Sequence, residues 1–239
     1  MPLELSILEE DDIPAFARID EAAMAGWPLA EAMSINSSVP RRQLVEGWVR
    51  KGFQTDSTQT YLKVTDTDTD EIIACALWRI DPDGQHEKAE REVPAPVEGE
   101  GGQKGKEARL GSVMEAMAAG WKDFQSQFFP NTPHASPSPS PRKSPNPAYS
   151  HLTDLQILIT DPVHQRRGAG SMLVDWGCQR ADERGLISVL TASEAGLKVY
   201  LKHGFEVVRA YELDLVPYGL AKVEFRRNMI RQPRPKAQA

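Results

Sequence analysis

The chain opens on Leu3-Glu4-Leu5-Ser6-Ile7-Leu8, where apolar and polar positions alternate as in a half-buried strand. Asp11 or Asp12 can then cap a helix that tolerates Pro14 in its first turn. Ile13, Phe16, Ala17, Ile19 and Ala23 follow at helical spacing, and Leu44, Val45 and Trp48 mark a second helix over 40–51. Two apolar runs, 60–64 and 72–78, flank a polar turn at 66–70 and read as a hairpin. The second run is almost wholly apolar, which suits a central strand covered on both faces.

Beyond residue 81 the pattern breaks. Residues 81–107 are charged and rich in Gly and Pro, and a Ser-Pro repeat occupies 135–145. Between them Leu110, Val113, Met114, Met117, Trp121 and Phe124 space an amphipathic helix. Regularity returns with a strand at 152–160, a helix at 168–184 ended by Gly185, and a strand at 186–192. Ser193 is placed to cap a short helix stopping at Gly204, a strand starts at Phe205, and 213–216 and 223–225 can pair as a last hairpin. Helices and strands mix without a strict βαβ repeat, which predicts an α+β domain of three layers. One domain over 1–232 is expected, with mobile insertions at about 83–108 and 131–149 and a flexible tail at 233–239.

Composition narrows the function. Hydrophobic residues make up 40% of the 239, and the formal net charge is −6, which argues against a general nucleic-acid binder. The one basic stretch, 226–239, reads as a solvated terminus. Cys75 and Cys178 both lie in apolar segments and read as buried free thiols of a reducing compartment. The first residues carry no basic, apolar signal and no run is long enough to span a membrane, so the cytoplasm is the expected location. No His, Cys and Asp cluster has metal-ligand spacing, so no metal is expected.

The chemistry concentrates in Leu158-Ile159-Thr160-Asp161-Pro162-Val163-His164-Gln165-Arg166-Arg167-Gly168-Ala169-Gly170-Ser171. An apolar strand runs through a turn into a Gly-spaced basic loop and then a helix. Unpaired N–H groups and the helix dipole make such a start an anion site, with Arg166 and Arg167 adding charge at its rim. A P-loop requires a Lys after its last glycine, and here Ser171 follows Gly170. A dinucleotide fingerprint requires a third glycine where Leu173 stands.

Gln165-Arg166-Arg167-Gly168-Ala169-Gly170 resembles the Q/R-x-x-G-x-G/A signature of the GNAT superfamily of N-acetyltransferases. Pro162 before it and Tyr200-Leu201-Lys202-His203-Gly204-Phe205 after the next strand stand where that family has a Pro and a Tyr-x-x-x-Gly-Phe motif. The resemblance covers about 152–208. It implies a mixed, mostly antiparallel central sheet flanked by helices, with the Pro/Ser-rich insertion placed before the cofactor-binding strand. It further implies acetyl-CoA as co-substrate, its pyrophosphate on the backbone of Gln165 to Gly170 and its pantetheine along a bulged strand end at Leu158, Ile159 and Thr160. Ser171 would join that loop, and Ser193 stands near where relatives carry an Asn that contacts the cofactor. Tyr200 matches the tyrosine that protonates the departing thiolate. Asp154 stands where some relatives carry a catalytic Glu, with Glu21, Glu115 and His151 as further candidates for the base. The acceptor would be a small-molecule or peptide amine, attacked directly without a cysteine nucleophile. A CoA-binding regulator without catalysis and a transferase for longer acyl groups are the rival readings.

Overall fold

The computed structural model describes residues 2–34, 39–80, 124, 152–216 and 223–234. The insertion read at about 83–108 and 131–149, Glu115, His151 and the tail 235–239 lie outside the described residues.

Strand β1 (Leu3–Ile7) leads through a 3-10 turn (Glu10–Asp12) into α1 (Ile13–Ala23). Asp12 fixes that entry, accepting from the N–H of Glu9 at 2.8 Å. Two further helices follow, α2 (Pro28–Ser34) and α3 (Arg41–Thr55), then the hairpin β2 (Gln59–Asp66) and β3 (Glu71–Ile80). After the insertion come β4 (Leu152–Thr160), a second 3-10 turn (Pro162–His164), α4 (Ala169–Arg184), β5 (Ile187–Ala192), α5 (Leu197–Lys202), β6 (Glu206–Asp214) and β7 (Val223–Arg231).

The seven strands form one sheet in the order β1-β2-β3-β4-β5-β7-β6. Every pairing is antiparallel except β4 with β5. On one face α4 and α5 bury Leu173, Val174, Cys178 and Tyr200 against Trp78, Leu190, Phe205 and Met229. On the other, α1 and α3 bury Phe16, Ile19 and Val49 against Tyr61, Cys75, Leu77 and Ile159. The result is the three-layer α+β domain that the pattern predicts, and β3 is indeed covered on both faces.

Four readings of the pattern change. Helix α2 is too short to show a period and was not anticipated. The short helix begins at Leu197 with Gly196 as its cap, and Ser193 lies outside it. The cause is packing: the Tyr200 ring lies against Gly196, where an added Cβ would meet Tyr200 Cε2 at 2.7 Å. The two pieces expected after Phe205 are one continuous strand, β6.

The fourth change is the largest. The first six residues of the basic stretch read as a frayed terminus, 226–231, belong to β7, a strand held between β5 and β6. Its arginines are neutralised by carboxylates near and far in sequence: Arg226 by Glu224, Arg227 by Glu194 and Arg231 by Asp182. Arg231, 4% exposed, donates both terminal nitrogens to the Asp182 carboxylate at 2.8 and 2.7 Å. Burial pushes the Asp182 carboxyl up, but hydrogen bonds from Arg231 and the Arg234 N–H outweigh it and hold it below the usual range.

Candidate active site

Strand β4 places the site because its two neighbours treat it differently. It pairs with β3 along nearly its whole length, from Thr153↔Ile80 to Thr160↔Ala74. With β5 it pairs only from Leu152↔Ile187 to Leu155↔Leu190. From Gln156 onward β4 and β5 part, leaving a wedge in the middle of the sheet edged by main chain. At the same point the β3–β4 register slips, with Leu77↔Ile157 followed by Trp78↔Leu155, so Gln156 is the extra residue of a β-bulge. The irregularity therefore precedes Leu158, Ile159 and Thr160 by two residues. Ile159 is 2% exposed and commits its side chain to the α1 face, so only its backbone is available at the wedge.

The loop after β4 ends at the same opening. Asp161 accepts from the Val163 N–H and starts the 3-10 turn. Arg166 and Gly168 then take left-handed conformations, φ 66° and 96°. Such a φ is open to glycine at little steric cost, so the signature requires Gly168. Helix α4 begins at Ala169, and its first return bond among those described is Met172 N–H to Gly168 O at 3.1 Å. The N–H groups of Ala169, Gly170 and Ser171 precede that bond and have no carbonyl one turn back. Gly170 lies against the end of β4, where an added Cβ would be 3.7 Å from Thr160 Oγ1 and 4.0 Å from Leu158 Cδ2. The helix start and the wedge thus form one surface.

The two loop arginines have different surroundings. Arg166 is exposed, whereas Arg167 donates to Asp66 Oδ2 at 2.7 Å and contacts His164 Nδ1 at 2.8 Å. The hydrogen bond from Arg167 holds the Asp66 carboxyl below its usual range. Arg18 adds bonds to Asp161 at 2.7 Å and to the Ile72 carbonyl at 2.9 Å. These contacts clamp the loop to the β2–β3 turn, so the rim charge expected of Arg167 is spent on holding the loop. Gln165 is exposed, and Ser193 is half-buried in the turn that follows β5.

Tyr200 and Asp154 lie on opposite faces. Tyr200 packs edge-on to Phe205 at 6.1 Å in the α4 layer, in the cluster that includes Leu155. Asp154 precedes Leu155 on the strand and so points the other way, towards the face of Leu152, Val189 and Phe124. Its Oδ2 accepts from Gln156 Nε2 at 3.3 Å. Burial pushes the Tyr200 hydroxyl up to about 12, against the opposing charge of Arg226. Burial raises the Cys178 thiol to about 11, and Cys75 further, so both are protonated at pH 7. Glu21 is ion-paired to Arg42 at 2.8 Å. Among the described residues no three His, Cys, Asp or Glu side chains are grouped to hold a metal, and no helix is long and apolar enough to cross a membrane.

Motif reasoning missed the α1-side surface of β7. Glu224, Arg226 and Asn228 occupy alternate positions there and are 9%, 7% and 0% exposed. Glu224 Oε1 accepts from Trp27 Nε1 at 2.9 Å and from Arg226 Nη1 at 3.1 Å, and the Arg226 guanidinium lies 5.1 Å over the Trp27 ring. The one signal in the sequence was the polar i, i+2 alternation of this segment, hidden by its net basic charge.

Residues 142–205 match the acetyltransferase (GNAT) family. No curated protein matches the chain. Many solved structures share its fold, among them the following three. One is described as histone acetyltransferase HPA2 and related acetyltransferase from Corynebacterium glutamicum, with 18% identity, 99% of this chain and 100% of that chain covered, and a TM-score of 0.56. A mosquito arylalkylamine N-acetyltransferase like 5b has 14% identity, coverage of 97% and 100%, and a TM-score of 0.54. A putative acetyltransferase from Salmonella typhimurium, solved with its cofactor acetyl-CoA, has 10% identity, coverage of 100% and 98%, and a TM-score of 0.53.

Proposed function

We propose that this chain, a member of the GNAT family by its fold and by its match over residues 142–205, moves an acetyl group from acetyl-CoA to a primary amine. The parting of β4 from β5 after Leu155↔Leu190, beside a glycine-capped helix start, is the observation that carries this reading. It supplies a slot edged by unpaired main chain and ending on free N–H groups, which suits a long, narrow thioester with a pyrophosphate. In this reading the N–H groups from Gln165 to Ser171 hold the pyrophosphate, Leu158, Ile159 and Thr160 give backbone bonds to pantetheine, and Arg166 and Ser193 lie at the rim.

The thioester supplies an activated acyl carbon, and the protein supplies orientation and proton transfer. The acceptor enters from the α1 face as an ammonium ion and loses one proton to Asp154, which leaves a neutral amine. Its nitrogen attacks the acyl carbon, the C–N bond forms and the C–S bond breaks. Tyr200, on the opposite face, donates its hydroxyl proton to the departing thiolate. A second N–H proton, released once the C–N bond has formed, restores the Tyr200 hydroxyl. The high position of Tyr200 keeps it protonated at neutral pH, as a proton donor must be. Cys178 and Cys75 are both protonated and buried, which supports direct transfer over an acyl-cysteine route.

Initial-rate kinetics test this, with acetyl-CoA and an amine varied together and thiol release as the readout. Intersecting lines, and a Cys178→Ala variant with kcat within a factor of about two, are expected. Parallel lines together with loss of turnover in Cys178→Ala would overturn direct transfer. CoA binding without turnover of any amine would favour a regulator, and faster turnover of a longer acyl-CoA would correct the donor.

A further inference from the structure

We infer that the acceptor carries a carboxylate beside its reacting amine, as a free amino acid does, and that Arg226 and Asn228 select it. This deepens the proposed acetyl transfer and rests on it. Among the described residues, Arg226 Nε, Asn228 Nδ2 and Glu224 Oε2 are buried side-chain atoms that make no hydrogen bond. All three belong to side chains at least nine-tenths buried, and such unmet groups are rare in a folded protein. Alternate positions place them in a row on one face of β7, about 7 Å per step.

The neighbours fix how each group is presented. Thr191 Oγ1 contacts Asn228 Oδ1 at 3.1 Å and turns the amide so that its nitrogen is the free end. The Arg226 guanidinium lies 5.1 Å over the Trp27 ring, with Nη1 on Glu224 and a further side-chain hydrogen bond to Tyr211, leaving Nε without a partner. Glu224 is already balanced by Arg226, by Trp27 and by the Leu29 N–H, although burial still pushes its carboxyl up. Asn228 pairs with Thr191, one step beyond the last β4–β5 pair, so the row starts at the wedge where the amine must react. Asp154 faces the same side of the sheet.

The chemistry of the row chooses among amines. Two adjacent donors, one of them on a guanidinium, call for an anionic oxygen pair within one residue of the reacting nitrogen. A polyamine has no acceptor atom for either donor. A peptide N-terminus offers a neutral carbonyl in place of the charge. Each buried donor left unmet costs on the order of tenfold in binding, so two give roughly a hundredfold selectivity.

The test compares free amino acids, their amides, the corresponding decarboxylated amines and spermidine as acceptors with the whole chain and saturating acetyl-CoA. Amino acids are expected to exceed their amides and amines in kcat/KM by roughly a hundredfold. Asn228→Asp keeps the shape and the oxygen facing Thr191 but turns the free donor into an acceptor, and is expected to erase that preference. Arg226→Lys, which keeps the charge and removes Nε, is expected to reduce it at least tenfold, mainly through KM. Stabilisation by acetyl-CoA must be retained in both variants as proof of fold. Equal or better use of carboxylate-free amines, or a preference unchanged in Asn228→Asp, overturns the assignment. Stabilisation by acetyl-CoA with no amino acid turned over overturns it alone. Absence of stabilisation in the parent overturns the donor reading as well.

Discussion

At the scale of single residues, the site separates groups whose role is written in a motif from groups whose role arises from contact. Tyr200 was singled out because its spacing to Gly204-Phe205 recurs in a family, and the fold buries it on the α4 side of the sheet in the cluster that includes Leu155; its role as proton donor is the proposal. Its raised hydroxyl adds what spacing cannot show. At about 12 it lies above a free phenol, so Tyr200 is protonated throughout neutral and mildly alkaline pH. Tyr200→Phe is expected to lower kcat roughly a hundredfold while shifting the melting temperature by no more than about 1 °C, and the parent's pH–rate profile should show no fall from Tyr200 below about pH 11. An unchanged kcat would remove Tyr200 from the mechanism. Arg167 and the row on β7 were illegible for one shared reason. A charged residue's part depends on its partner, and Asp66, Trp27 and Thr191 lie far from these residues in sequence.

At the scale of elements, β4 and α4 were readable almost to the residue, since a buried strand, a turn and a Gly-flanked helix each leave a strong local pattern. The wedge was not readable, because it is a property of two strands. The close seat of α4 was equally hidden. Trp78 donates its indole N–H to the Leu173 carbonyl at 3.1 Å and lies so near the helix that a Cβ at Gly177 would come within 2.1 Å of its ring. Gly177→Ala is therefore expected to cost about 1–3 kcal/mol and to weaken acetyl-CoA binding, because lifting α4 moves its N-terminus off Thr160. Chemical denaturation measures the first and titration calorimetry the second. A stable variant with unchanged affinity would show that the helix start does not depend on this seat. Strand β7 was misread for the opposite cause: its arginines resemble a solvated tail until Asp182 and Glu224 are seen to neutralise them.

At the scale of the whole molecule, the three-layer class followed from the mixture of periodicities, and the acidic balance argued against a general nucleic-acid binder. The order β1-β2-β3-β4-β5-β7-β6 could not be read, because β7 enters between β5 and β6 through contacts no window of sequence contains. That order matters to function, since it lays the polar row of β7 directly beside the wedge. In the proposed reaction the donor and acceptor meet through the sheet, one from each face. The central claim is that the wedge and the start of α4 hold acetyl-CoA. The most direct test is thermal unfolding of the parent and of Gly168→Glu, with and without acetyl-CoA. At a hundred times its dissociation constant, acetyl-CoA should add about 2.7 kcal/mol, or roughly 5–10 °C for a chain of this size. The variant places a side chain at φ 96° and a carboxylate at the phosphate position, and should show no such shift while remaining folded. An equal shift in both proteins, or none in the parent at millimolar acetyl-CoA, would contradict the account.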